Sequence, residues 1–313
     1  MSVTIIYPQS HDAWLQLRQG GIGSSEVATI VGLNPFDTPY QLWRRKKGLD
    51  EAQPENFLMK LGHYLEDCVS HLWADETGCD VLAESACDFI MQDKEHTFLQ
   101  VSPDRLYYIK GAPHEDTYKG ILECKTTQMR INPDELPKHW FCQLQYQLGI
   151  AGLQHGALAW LTAGREFGHR EFVFDDNFFS FIKEEAIRFW TDYIIGDKEP
   201  AVMDSEDLKT KYLGHKEGVF KEMGADKVEI VSELRGVNKQ ISFLEAKKKG
   251  IEDVLKAFIG DAEGLTYQGA LLATWKTGKD TAKFDRERFV AENPELAEKY
   301  TTMVSGSRKF VLK

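Results

Sequence analysis

Apolar residues recur at three- and four-residue intervals through residues 57–73, where Leu58, Leu61, Leu65, Cys68, Val69 and Leu72 line one side. That spacing predicts an amphipathic helix. Glu66 falls beside the stripe, on the side of Gly62, Val69 and Trp73, and Gly62 leaves room for another segment to approach. By position alone, an exposed helix residue is the plainer reading of Glu66. A second helical pattern runs through 139–149, with Trp140, Leu144 and Leu148 inward and Gln143 and Gln147 on an adjoining stripe, where surface glutamines are the default. A third covers 177–195. Residues 10–31 read as a short helix, a glycine turn and a second helix with Ser24 or Ser25 as N-cap, and 40–47 as a helix after the Pro35–Pro39 turn.

Between the helices, short apolar runs predict strands at 87–91, 98–101, 157–161 and 171–174. The segment from Arg105 to Gly120 carries a Gly111-Ala112-Pro113 turn, so a hairpin returning into Ile121-Leu122-Glu123 is expected. Mixed strands and helices make an α/β fold. Further on, Leu234, Val237, Ile241, Leu244, Ile251, Leu255 and Phe258 keep alternating 3,4 spacing, broken only by Lys248. This heptad-like seam predicts a long helix, and Gly250 favours one packed on its own domain over a free coiled coil. A strand or hairpin at 265–276, a short helix near 286–300 and a terminal strand at 309–312 complete the expectation.

Composition narrows the class. The chain has 313 residues, 42% hydrophobic content and a net charge of -11, with no apolar run long enough to span a bilayer. The start, MSVTIIYPQSHDAW, carries no secretory signal pattern, so a cytoplasmic protein is expected. Cys68, Cys79, Cys87, Cys124 and Cys142 include no CxxC pair and read as reduced, mostly buried thiols, which disfavours a zinc or iron–sulfur site. The acidity is concentrated in residues 1–200, with 18 Lys+Arg against 30 Asp+Glu. A nucleic-acid enzyme with this balance needs local positive charge; Arg44-Arg45-Lys46-Lys47 supplies it or is a solvated helix end.

The candidate chemistry lies between Ser102-Pro103-Asp104-Arg105 and Leu122-Glu123-Cys124-Lys125. In a strand, Glu123 and Lys125 share a face while Leu122 and Cys124 point to the other, into the core. Two carboxylates that share a divalent cation, with an ammonium alongside, suit metal-assisted phosphodiester hydrolysis. The serines after Gly21-Ile22-Gly23, approached by Arg18, form a candidate phosphate site, against the plainer reading of an ordinary capped helix.

Taken in order, Arg18 with Gly21-Ile22-Gly23-Ser24-Ser25-Glu26, Gly62 with Glu66, Ser102-Pro103-Asp104, Leu122-Glu123-Cys124-Lys125 and Gln143-Leu144-Gln145 resemble the YqaJ-like viral recombinase family. That family includes phage lambda-type exonucleases of the PD-(D/E)XK nuclease superfamily. The resemblance implies a PD-(D/E)XK, restriction-endonuclease-like core, a mixed central sheet flanked by helices, over residues 1–200. It leaves 201–313 as a C-terminal extension with a long helix at about 230–259 and a small α/β element at about 264–313.

By the same resemblance, Glu66, Asp104 and Glu123 are the acidic metal ligands, joined by the backbone carbonyl of Cys124. Lys125 activates the water and Gln143 helps place it. Arg18 and Ser25 resemble a pocket for a terminal 5′-phosphate. Family members add a basic residue shortly after the lysine; the nearest here is Arg130, at a spacing that departs from the family's. An all-oxygen ligand set fits Mg²⁺, with Mn²⁺ able to substitute. The implied activity is 5′→3′ digestion of linear double-stranded DNA ends, exposing 3′ tails for a single-strand annealing protein, by a ring-shaped homotrimer. A site-directed endonuclease on the same core, and a noncatalytic DNA-end binding or assembly factor, are the alternatives.

Overall fold

The computed structural model describes residues 3–50, 56–83, 88–113, 119–304 and 306–313. Cys87, at the start of the strand expected at 87–91, lies outside these residues. The chain forms two compact units, 1–211 and 212–313.

The first unit is built on a five-stranded sheet in the order β2-β5-β6-β7-β8, from β2 (Asp80–Val81), β5 (Arg105–Tyr108), β6 (Lys119–Thr127), β7 (His155–Thr162) and β8 (Glu166–Val173). The β6–β7 pair is parallel and the others antiparallel. A parallel connection needs a crossover, supplied by α5 (Lys138–Ala151). A smaller antiparallel sheet joins β1 (Val3–Ile6), β3 (Ile90–Asp93) and β4 (Gln100–Val101). Between β4 and β5 the chain leaves one sheet for the other at Pro103, which has no N–H to give a ladder.

Helices cover both faces of the large sheet. On one, α4 (Phe57–Thr77) packs Val69 and Trp73 against Tyr107, Leu122, Cys124, Ala157 and Ala159. On the other, α5 joins α2 (Ser24–Ile30), α3 (Pro39–Lys46) and α6 (Asp176–Phe189) in the main core, with Ile121, Leu158 and Trp160. Gly149 is required there, because a Cβ would collide with the Phe179 ring. This is the mixed α/β layout that the sequence implied.

Several local expectations change. The buried face of α4 is Val69, Ser70 and Trp73, while Leu58 and Cys68 are exposed. The sheet contacts the C-terminal half of α4, where its own apolar pattern is weaker. Among the described residues a Cβ at Gly62 would meet nothing within 4 Å, so none of them makes the close approach that this glycine would allow. Neither face of β6 is open between Gly120 and Cys124, where Glu123 is as buried as Leu122 and Cys124. The N-cap of α2 is Gly23 rather than Ser24 or Ser25, and Glu26 Oε2 accepts the Gly23 N–H at 2.8 Å. α1 (His11–Gln19) precedes it, capped by Ser10. The predicted helix over 177–195 is α6 continued by a π-helical segment, Trp190–Ile195, and α7 (Ser205–Lys211) ends the unit.

In the second unit, α8 (Ala225–Ile259) is 35 residues long, about 52 Å at 1.5 Å per residue. A hairpin of β9 (Gly264–Tyr267) and β10 (Ala270–Thr274), then α9 (Arg286–Glu292) and α10 (Pro294–Lys299), follow. The expected packing of the long helix on its own domain is not met. Val237, Ile241, Leu244, Ile251, Leu255 and Phe258 are exposed, because two strands of four and five residues are too short to cover such a helix. Residues 309–312 form no strand; the Lys313 carbonyl accepts from Arg235 Nη2 at 2.8 Å. No helix among the described residues is long and apolar enough to cross a membrane.

Candidate active site

The β5–β6 ladder is paired from Arg105↔Leu122 to Tyr108↔Lys119. Past its end the two strands part. The Cys124 N–H, left without a strand partner on that side, donates to Asp104 Oδ2 at 2.8 Å. Satisfying a stranded backbone donor therefore fixes the Asp104 carboxylate beside β6, next to Glu123.

Glu123 is almost fully buried, and the strand's period of two aims it and Lys125 at α5. Lys125 Nζ donates to Glu123 Oε1 at 2.6 Å and to Gln143 Oε1 at 2.9 Å, while Gln143 Nε2 donates to the same Glu123 oxygen at 2.5 Å. Gln147, one turn further along α5, donates from Nε2 to Glu123 Oε2 at 2.7 Å and reaches Ser24 Oγ at 3.3 Å. Among the described residues its own Oε1 has no hydrogen-bond partner. Gln147 is fully buried, against the surface position expected for it, because α2 and α6 close over α5.

Glu66 comes from α4, with His63 Nδ1 at 3.1 Å. Burial raises its pKa, and the Glu123 charge adds to the rise against the pull of His63. Asp104 is pushed well above the usual carboxylate range, first by burial and then by the charges of Glu123 and Glu66, with Lys125 opposing. Burial alone would lower Lys125, but the charges of Glu123 and Asp104 outweigh it and hold the ammonium above its ordinary value. The cluster thus carries three carboxylates against one enclosed ammonium.

These residues fit a hard cation. The carboxylates offer only oxygen donors, and an added positive charge relieves the repulsion that raises Asp104 and Glu66. They stand more open than a closed ligand set, since their donor atoms do not all lie within 4.8 Å of one another. Asp93, Glu95 and His96 are that close. There, however, the Lys183 ammonium sits 2.6 Å from Asp93 Oδ2, and the Glu95 and His96 N–H groups both donate to Oδ1. That cluster is a turn already neutralised by a lysine.

The residues expected to receive a phosphate come from α1 and α2. Ile22 pairs with the 98–100 segment, Ile22 N donating to Phe98 O and Gln100 N to Ile22 O, so the glycine turn is stitched to the strand that leads to Asp104. Arg18 Nη2 reaches Ser25 Oγ at 3.4 Å. Arg130 does not join them: it is highly exposed and pairs with Glu166 at 3.4 Å. The cation beside Arg18 is Lys46, nearly buried, which donates to the Arg18 carbonyl at 3.0 Å and meets Glu26 at 2.9 Å. Its neighbours in the basic run are also paired, Arg44 with Asp50, Arg45 with Asp37 and Lys47 with Asp197. The run is therefore neither a free DNA-facing patch nor a merely solvated helix end. Among the cysteines, Cys124 and Cys142 are buried free thiols, Cys79 is half-buried and Cys68 exposed.

Residues 13–154 match the YqaJ-like viral recombinase domain. The uncharacterized protein YqaJ of Bacillus subtilis (strain 168) is 30% identical over 303 residues, covering 93% of this chain and 90% of that protein. Among solved structures, the alkaline exonuclease LHK-Exo of Laribacter hongkongensis, also crystallised with dAMP, is 18% identical with a TM-score of 0.45, over 64% of this chain and 97% of that one. A phage-related exonuclease from Haemophilus somnus 129PT is 13% identical with a TM-score of 0.38, over 56% and 96%. With a relative this similar along almost its whole length, and the domain match spanning the segments that build the acidic cluster, the chain belongs to the YqaJ-like viral recombinase family.

Proposed function

We propose that this protein is a metal-dependent deoxyribonuclease that digests linear double-stranded DNA from its ends in the 5′→3′ direction, leaving 3′ single-stranded tails for recombination. The observation that carries the reading is the convergence of Asp104, Glu123 and Lys125 where β5 and β6 part, with Asp104 held by the Cys124 N–H. Carboxylates gathered beside one ammonium on a backbone-anchored strand end suit phosphodiester hydrolysis, which needs a placed water and a sink for developing negative charge.

Asp104, Glu66 and Glu123 would hold Mg²⁺, with Mn²⁺ able to replace it, and the Cys124 carbonyl would complete the set. When bound, the metal supplies charge neutralisation and a more acidic water. Lys125 and Gln143, hydrogen-bonded to each other and to Glu123, orient the nucleophile. In the metal-free cluster the charges of Glu123 and Asp104 hold the Lys125 ammonium above its ordinary pKa. Arg18 and Ser25, with Lys46 alongside, receive a terminal 5′-phosphate. Gln147 joins the two halves of the site, touching both Ser24 and Glu123. A single-strand annealing protein receives the tails, and the working form is a homo-oligomer inside the cell.

The test uses linear duplexes carrying 5′-phosphate or 5′-hydroxyl ends, labelled at either terminus, with Mg²⁺. Loss of the 5′ label first, faster from phosphorylated ends, is the expected result. Cutting of a covalently closed circle would make the protein an endonuclease. Absence of cleavage with both Mg²⁺ and Mn²⁺ would leave it a DNA-end binding factor.

A further inference from the structure

The segment that leads into α8 and the end of the chain enclose a cleft within the second unit, with a volume of about 840 Å³. One wall is a turn closed by the Val219 N–H on the Lys216 carbonyl, in which Gly218 takes a positive φ of 72°. The other wall is residues 306–309, whose continuation is held to the long helix where Arg235 donates to the Lys313 carbonyl. His215, Lys216, Ser307, Arg308 and Lys309 line the cleft, and among the described residues no carboxylate does. None of the four basic side chains forms an ion pair among the described residues, although Glu217 and Glu222 are close by in the chain. The run 44–47 of the first unit, by contrast, is paired with acids residue by residue. Like charges gathered around one cavity repel one another, and an anion that enters relieves the repulsion.

We propose that this cleft binds the phosphodiester backbone of single-stranded DNA. Its volume is at the large end of the ~300–1,000 Å³ range of ligand pockets, so it takes a stretch of strand rather than one ion. Phe220 and Phe310, the next residues after the lining residues Val219 and Lys309, are 93% and 84% exposed, which leaves two rings for bases to stack on. Cations that follow a backbone beside exposed aromatic rings are the means by which proteins hold a strand without reading its sequence. A duplex keeps its bases within the stack and offers those rings nothing.

The cleft lies outside residues 13–154, which match the family domain, and shares no residue with the acidic cluster. The choice of a single strand as its ligand rests on the nuclease reading, whose product is a single-stranded tail; the cavity and its unpaired charges do not. A tail held by the second unit stays with the protein after it has left the cluster.

The experiment is the fluorescence anisotropy of a labelled single strand of about 16 nucleotides, titrated with the full-length protein in a chelator so that nothing is cut. Lys216→Gln with Arg308→Gln and Lys309→Gln weakens binding on the order of 10-fold or more at low salt, and flattens the dependence of log affinity on log salt by about 2, as three lost phosphate contacts require. Lys279→Gln with Lys283→Gln and Lys299→Gln removes the same charge from the same unit outside the cleft and leaves binding unchanged. Lys216→Arg with Lys309→Arg keeps both the charge and the binding, which separates a lost contact from a lost fold. Phe310→Ala weakens binding roughly 5-fold or more with the salt dependence unaltered. Equal binding by the two triple variants overturns the proposal, and an equal loss for a duplex of the same length overturns the preference for a single strand. Strand binding that depends on the cleft in a protein that cuts no DNA would keep the cleft and remove the nuclease reading, whereas cleavage by a protein whose strand binding ignores the cleft would do the reverse.

Discussion

Glu123 is the most constrained side chain of the site: three donors from two elements hold its carboxylate while it stays almost free of water. A buried carboxylate is tolerated only when its acceptors are satisfied, so each donor has a measurable share in holding it in place. Lys125→Ala is expected to lower DNA cleavage at least about 100-fold with the fold intact, as read by circular dichroism beside a nuclease assay. Undiminished cleavage by the purified variant would remove Lys125 from the mechanism. Gln147→Leu keeps the volume and removes one donor; it is expected to weaken metal binding about 10–100-fold while cleavage recovers at saturating metal. Titration calorimetry against Mg²⁺ separates that from a general loss of structure. The Glu123 and Lys125 pair was legible from the sequence because alternation in a strand is local. The burial of Gln147 was not, since it depends on α2 and α6 closing over α5, which no spacing within 139–149 encodes.

At the scale of elements, the ties that position the site are polar links across sequence-distant segments. Lys183 on α6 holds Asp93 at the end of β3, and the Glu95 and His96 N–H groups bind the same carboxylate. Burial would raise the Asp93 pKa, but those donors outweigh it and hold it below the usual range. A carboxyl near pKa 4 in the unfolded chain and lower in the folded one stabilises the fold above about pH 4, and that contribution disappears as pH falls through the folded value. Asp93→Asn is therefore expected to lower the melting temperature at pH 7 and to flatten its decline between about pH 5 and 2. An unchanged acid limb would show that the link carries no stability. Helices and strands were legible wherever the apolar period was long, as in α5 and β7. The working face of α4 was not: the N-terminal stripe from Leu58 to Cys68 is the stronger pattern, yet the sheet contacts Val69 and Trp73.

For the whole molecule, the cluster at the end of β6 links stability, pH and metal. Asp104 is pushed above the range it has in the unfolded chain, so as pH rises past about 4 the unfolded chain releases its proton first and metal-free stability declines. A bound cation reverses this. Mg²⁺ at about 100 times its dissociation constant adds about 2.7 kcal/mol, seen as a rise in melting temperature that grows with pH. Asp104→Asn is expected to melt no lower than wild type without metal and to lose the Mg²⁺-induced rise. The order of segments from Arg18 to Gln145 was readable because each carries its own chemistry. The second unit was read less well, because whether an apolar seam is covered depends on what lies outside the helix.

The most direct test of the central claim is Mg²⁺-dependent release of nucleotides from a linear duplex by wild type, Asp104→Asn and Lys125→Ala, each first verified as folded. The account predicts release by wild type alone, abolished by a chelator. Equal release by Asp104→Asn would contradict it.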